Sequence, residues 1–101
     1  MAIYMTARFR VKPESVERCE EAISEFIIYI QGHEPGTKLY TSLRSTEDDT
    51  EYLHYFIFED EEAEEKHRTS EGMKRFTSVL YPELVSDGVE FKRYTLVEST
   101  R

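Results

Sequence analysis

Cysteine occurs once in this chain, at Cys19, and tryptophan and asparagine do not occur at all. A single thiol excludes an intramolecular disulfide and a zinc site built from several thiolates. Cys19 falls on the apolar stripe of a helical pattern, where a small thiol packs as a hydrophobe rather than acting as a nucleophile. Glycine is also scarce, with four residues, and none stands in the spacing that cradles a dinucleotide or phosphate. A nucleophile elbow and a paired-histidine metal motif are missing too. Basic residues are outnumbered, with 13 Lys and Arg against 21 Asp and Glu, for a net charge of −8. That balance repels phosphate backbones and anionic bilayers, so neither nucleic acid nor membrane is an expected partner. No apolar run approaches a membrane span, and the first residues show no basic start followed by an apolar stretch. The expected location is cytoplasmic.

What is present reads as one ordered α+β domain over residues 1–101, rich in aromatics. Residues Ile3 to Lys12 alternate, with Ile3, Met5, Ala7, Phe9 and Val11 on one face, as in a strand with an apolar side. Pro13, Glu14 and Glu17 form a helix start, because proline suits the first helical position and acids favour the positive end of the dipole. Val16, Cys19, Ile23, Phe26, Ile27 and Ile30 then recur at helical spacing, and Gly32 ends the element. Glu34-Pro35-Gly36-Thr37 reads as a turn. A second strand follows from Lys38 to about Ser45, then a polar loop from Thr46 to Thr50, then a third strand from Tyr52 to Phe58. Asp60 is the expected N-cap of an acidic helix carrying Ala63 and His67. Ser70-Glu71-Gly72 interrupts that helix, and Met73, Phe76, Val79, Leu80 and Leu84 continue its apolar face. Pro82 and Asp87-Gly88 close it, and Val89 to Ser99 is the fourth strand.

The order βαββαβ is that of a ferredoxin-like antiparallel sheet. Both faces of the third strand are apolar or aromatic, which requires that both be covered. The helices can cover one face. A second copy of the chain is the expected cover for the other, giving a homodimer joined sheet to sheet. Most of the tyrosines Tyr4, Tyr40, Tyr52, Tyr55 and Tyr94 fit such an interface, which favours aromatics with a polar tip.

Three histidines carry the possible chemistry. His33 reads as an exposed helix-end residue. His54 shares a strand face with Tyr52, Phe56 and Phe58, and His67 stacks over Ala63 on its helix. A metal held by His54 and His67 needs a third ligand that the sequence does not place, so no metal is expected. An aromatic-lined cavity between sheet and helices, with His67 or His54 as its polar contact, is one reading. A solvated histidine among acids is the simpler reading of His67, and Glu61 to Glu65 reads as a solvated face.

The chain resembles the antibiotic biosynthesis monooxygenase family, whose members form dimeric α+β barrels and include quinol monooxygenases. The resemblance rests on Phe9-Arg10-Val11-Lys12-Pro13-Glu14 and on Glu34-Pro35-Gly36-Thr37 with Tyr40 and Arg44. It rests also on Asp60-Glu61-Glu62-Ala63 with His67, Ser70, Lys74 and Phe76, so it covers nearly the whole chain. It implies oxidation of a small phenol or hydroquinone by dioxygen without flavin, haem or metal. His67 matches the helix histidine of the family and is the expected catalytic residue. Ala7, Phe9, His54, Phe56, Met73 and Phe76 are the expected ligand-binding residues. The chain departs from the family pattern at three positions. Ala7 stands where haem-cleaving relatives carry an asparagine, Phe56 where many carry a glutamate and Gly72 where many carry a second histidine. Together with the absent Trp and Asn, this argues against haem cleavage. Two other readings of the same fold are a non-catalytic ligand-binding barrel and a non-oxidative isomerase or cyclase.

Overall fold

The computed structural model describes residues 1–85 and 88–101. Its strands are β1 (Ile3–Arg10), β2 (Thr37–Arg44), β3 (Glu51–Phe58) and β4 (Glu90–Tyr94), and its helices are α1 (Val16–His33), α2 (Glu61–Arg68) and α3 (Glu71–Leu80). The strands form one antiparallel sheet in the order β2-β3-β1-β4, the ferredoxin-like arrangement, with α2 and α3 together as its second helical connection.

Side-chain alternation sorts the sheet into two faces. Ile3, Ala7 and Phe9 of β1 pair in register with Phe58, His54 and Tyr52 of β3, and all six are buried on the helix side. Phe9 and Tyr52 pack there with Cys19, Ile23 and Phe26 of α1 and with Phe76 and Leu80 of α3, while Ile3, Ala7 and Phe58 cluster with Phe56 and with Ala63 of α2. Each such buried aromatic or aliphatic side chain contributes about 1.5–3 kcal/mol through removal of apolar surface from water. The outer face is different. Tyr4, Thr6, Leu53, Tyr55 and Ile57 are half-buried there, and Leu39, Leu43 and Tyr94 are exposed.

Several boundaries differ from those read in the sequence. Pro13–Ser15 forms a 3-10 turn, and the α-helix begins only at Val16. Helix α1 passes through Gly32 to His33 and ends at Glu34, whose N–H donates to the Ile30 carbonyl. Strand β4 stops at Tyr94, which pairs with Tyr4 near the start of β1, and among the described residues Thr95 to Ser99 join no strand. The expected closing turn at Asp87 lies outside the described residues, while Gly88 takes a positive φ of 69° that suits glycine. The interruption expected at Ser70-Glu71-Gly72 falls between Arg68 and Glu71, where Ser70 caps α3 by accepting from Met73 N–H, and Gly72 lies in the first turn of α3 under the ring of Tyr29.

Candidate functional site

The N-cap of α2 sets the rotation of that helix. Asp60 accepts a hydrogen bond from Ala63 N–H at 2.9 Å, and Ala63 and His67, four residues apart, turn inward. His67 is therefore buried, at 5 % exposure, and not solvated among its acidic neighbours. Its ring packs against those of Phe26, Tyr40, Phe56 and Phe58, with centroids 5.0–6.0 Å away. The neighbouring acids Glu61, Glu62 and Glu65 do face solvent, and the half-buried Glu64 binds Arg93 at 2.8 Å.

The partner of His67 comes from the turn after α1. Glu34 is 4 % exposed, and its Oε1 accepts from His67 Nδ1–H at 2.8 Å and from the Thr37 hydroxyl at 2.8 Å. The backbone turn puts it there, since Thr37 N–H donates to the Glu34 carbonyl while the side chain swings inward. Burial pushes the Glu34 carboxyl up. The His67 hydrogen bond and charge outweigh that, with help from Thr37 and Ser70, and hold it below its ordinary value. Glu34 is thus a buried carboxylate. In the neutral imidazole this bond fixes the His67 proton on Nδ1 and leaves Nε2 as the nitrogen free to accept.

His54, at 1 % exposure, is the other buried imidazole. Its Nδ1 lies 2.7 Å from the Tyr40 hydroxyl, while its Nε2 has no partner among the described residues. Burial pulls its pKa down to about 4, so the ring is neutral at neutral pH. Burial, reinforced by the charge of Glu34, pushes the Tyr40 phenol well above its usual range, so it too stays neutral. The Tyr40 ring touches both histidines, with centroids 5.2 Å from His54 and 5.7 Å from His67.

These groups line one cavity of about 490 Å³. All seven residues expected to form a site are on its wall: Ala7 and Phe9 from β1, His54 and Phe56 from β3, His67 from α2, and Met73 and Phe76 from α3. Exposed Arg68, Lys74, Tyr81 and Phe91 stand at its rim. The size suits a small aromatic molecule, and the wall is mostly apolar with few polar groups. Among the described residues, no group of three or more His, Cys, Asp or Glu is placed to hold a metal ion.

Sequence reasoning missed Glu34 and misplaced two tyrosines. Tyr40 and Tyr52 do not lie on the outer face: Tyr40 lines the cavity, and Tyr52 is buried on the helix side with its hydroxyl donating to Glu20 at 2.7 Å. The register Tyr40↔Phe56 and Arg44↔Tyr52 puts both on the core side of the sheet. The available signal for Glu34 was a carboxylate in a turn whose flanking pattern matches a family motif. Its burial depends on a partner 33 residues away.

Comparison with known proteins is consistent with this geometry. Residues 2–78 match the family described as antibiotic biosynthesis monooxygenase. No curated protein matches the sequence. Among solved structures, a Bacteroides thetaiotaomicron protein provisionally named an antibiotic biosynthesis monooxygenase superposes with a TM-score of 0.90 at 18 % identity, covering 99 % of this chain and 93 % of that one. Rv0793 from Mycobacterium tuberculosis gives a TM-score of 0.88 at 16 % identity over all of both chains. A mutant of SnoaB, a cofactor-independent oxygenase from Streptomyces nogalater, gives 0.82 at 17 % identity, covering 98 % of this chain and 96 % of that one.

Proposed function

The chain belongs to the antibiotic biosynthesis monooxygenase family, and on that premise we propose that it is a cofactor-independent monooxygenase oxidising a small phenol or hydroquinone with dioxygen. The observation that carries the proposal is the buried Glu34–His67 pair on the wall of an aromatic cavity. His67 Nε2 takes the phenolic proton, and the Glu34 carboxylate stabilises the imidazolium that forms and keeps the ring oriented. The bound phenolate is electron-rich and passes one electron to dioxygen. The resulting superoxide joins the ring radical at carbon, and the His67 proton converts the peroxide anion to a hydroperoxide. Loss of water, with the ring hydrogen leaving as a proton, gives the quinone. One oxygen atom ends in the product and one in water, and the substrate supplies all the electrons.

The rings of Phe9, Phe56 and Phe76, with Ala7 and Met73, hold the substrate and keep water from the anion. A homodimer through the outer sheet face would cover the half-buried Tyr4, Leu53 and Tyr55 and the exposed Leu39, Leu43 and Tyr94. Oxygen uptake with a panel of hydroquinones, in the wild type and in His67→Ala, tests the reading. A loss of about a hundredfold or more in the variant is expected. No uptake by the wild type across the panel, or equal rates in both proteins, refutes it.

A further inference from the structure

Two imidazoles share this cavity, and the proton transfer above uses only one of them. His54 is neutral and so carries one ring proton. The Tyr40 hydroxyl has no other hydrogen-bond acceptor among the described residues. If it accepted from His54 Nδ1–H, its own proton would be left unmatched in a buried site. With Tyr40 donating to Nδ1 instead, every polar group of the pair is satisfied except one, the Nε2–H of His54. A buried donor without a partner is costly, and a ligand oxygen is the natural group to relieve that cost. Phe9, edge-on at 5.0 Å, and Phe76, stacked at 6.2 Å, pack against the His54 ring, and all three residues line the cavity.

We propose that His54 is a ligand-binding residue whose Nε2–H donates to a second oxygen of the substrate, so that the site selects an aromatic ring bearing two oxygen functions over a simple phenol. One oxygen is the hydroxyl that His67 deprotonates. The other is a carbonyl or hydroxyl oxygen on the same ring system, held by His54. Tyr40 is a positioning residue, acting by fixing the His54 tautomer. The inference rests on the reading of this cavity as the substrate site. Selection follows because a site built to hydrogen-bond an oxygen penalises an analogue lacking it far more than an apolar wall penalises a change of shape.

The test is binding under nitrogen, so that it reads selection without turnover. The probes are 4-hydroxyacetophenone and 4-isopropylphenol, which match in shape and differ in the carbonyl oxygen. The wild-type chain should bind the ketone at least about tenfold more tightly. That preference should vanish in His54→Phe and persist in His54→Gln, which keeps a donor. Nitrogen NMR of the imidazoles should show the His54 proton on Nε2 in the free protein. That signal should shift with the ketone alone, and Tyr40→Phe should mix the tautomers. Equal affinity for the two probes, binding of neither, a preference that survives His54→Phe, or an unprotonated Nε2 overturns the inference. Should His54→Phe not fold, the wild-type spectrum and probe ratio decide the matter. A protein that prefers the ketone yet consumes no oxygen upholds this selection and refutes the oxidation; one that oxidises hydroquinones without the preference does the reverse.

Discussion

Burial of His54 makes the stability of this fold fall as pH drops below the ordinary histidine value. The unfolded chain protonates His54 near 6.5, whereas the folded chain holds it neutral down to about 4. Below pH 6.5 the unfolded state therefore binds the extra proton, and stability falls with pH until both states are protonated below 4. The side chain is almost fully sealed, so little solvent screening reduces the effect. Between pH 8 and pH 5 the loss is about 2 kcal/mol, rising to roughly 3 kcal/mol near pH 4. Glu34 does not enter the interval from pH 8 to pH 5, because its value is lowered in the fold and its contribution fades only as pH falls below the ordinary carboxylate value. Urea unfolding of the wild type and His54→Gln at pH 8 and pH 5, at one fixed protein concentration, isolates the term. The chain has no tryptophan, so far-ultraviolet circular dichroism is the suitable signal. The wild type should lose about 2 kcal/mol more than the variant over that interval. Identical pH dependence in the two proteins would refute the assignment of His54 as buried and neutral.

Other perturbations follow from the same geometry. Light scattering at micromolar concentration should give twice the chain mass of 12.0 kDa, and Tyr55→Glu on the outer sheet face should shift the particle toward that single mass. A single mass in the wild type contradicts the sheet-to-sheet dimer. At Gly72, a Cβ would fall 2.3 Å from the Tyr29 ring. Gly72→Ala gains about 1 kcal/mol of helix propensity and loses about 1–3 kcal/mol to overpacking, so a net fall in melting temperature is expected. A raised melting temperature would show that Tyr29 moves aside freely.

Most of the fold was legible because its elements obey clear periods. The alternation in β1 and the helical stripe through Cys19, Ile23, Phe26 and Ile30 correspond to faces that are buried. The end of β4 was not legible, since Thr95 to Ser99 alternate like a strand but join no strand among the described residues. The wall of the cavity could be read from apolar faces and the family likeness. Its polar machinery could not. Glu34 has the local character of a turn residue, and only the packing of α2 across the turn makes it a buried partner of His67. The Tyr40–His54 contact likewise depends on the β2–β3 register, in which a bulge between Thr37 and Leu39 shifts the pairing. Charge in the sequence near His67 pointed outward to solvent, while the single acid that matters to it came from elsewhere in the chain.

The Glu34–His67 pair is proposed here as the base of an oxidation by dioxygen. Oxygen uptake with simultaneous quinone detection, in the wild type and in Glu34→Gln with His67 intact, decides whether it is. One oxygen molecule should be consumed per quinone formed, and kcat should fall about a hundredfold or more in the variant with KM little changed. An unchanged kcat in Glu34→Gln, or quinone formed without oxygen uptake, would contradict it.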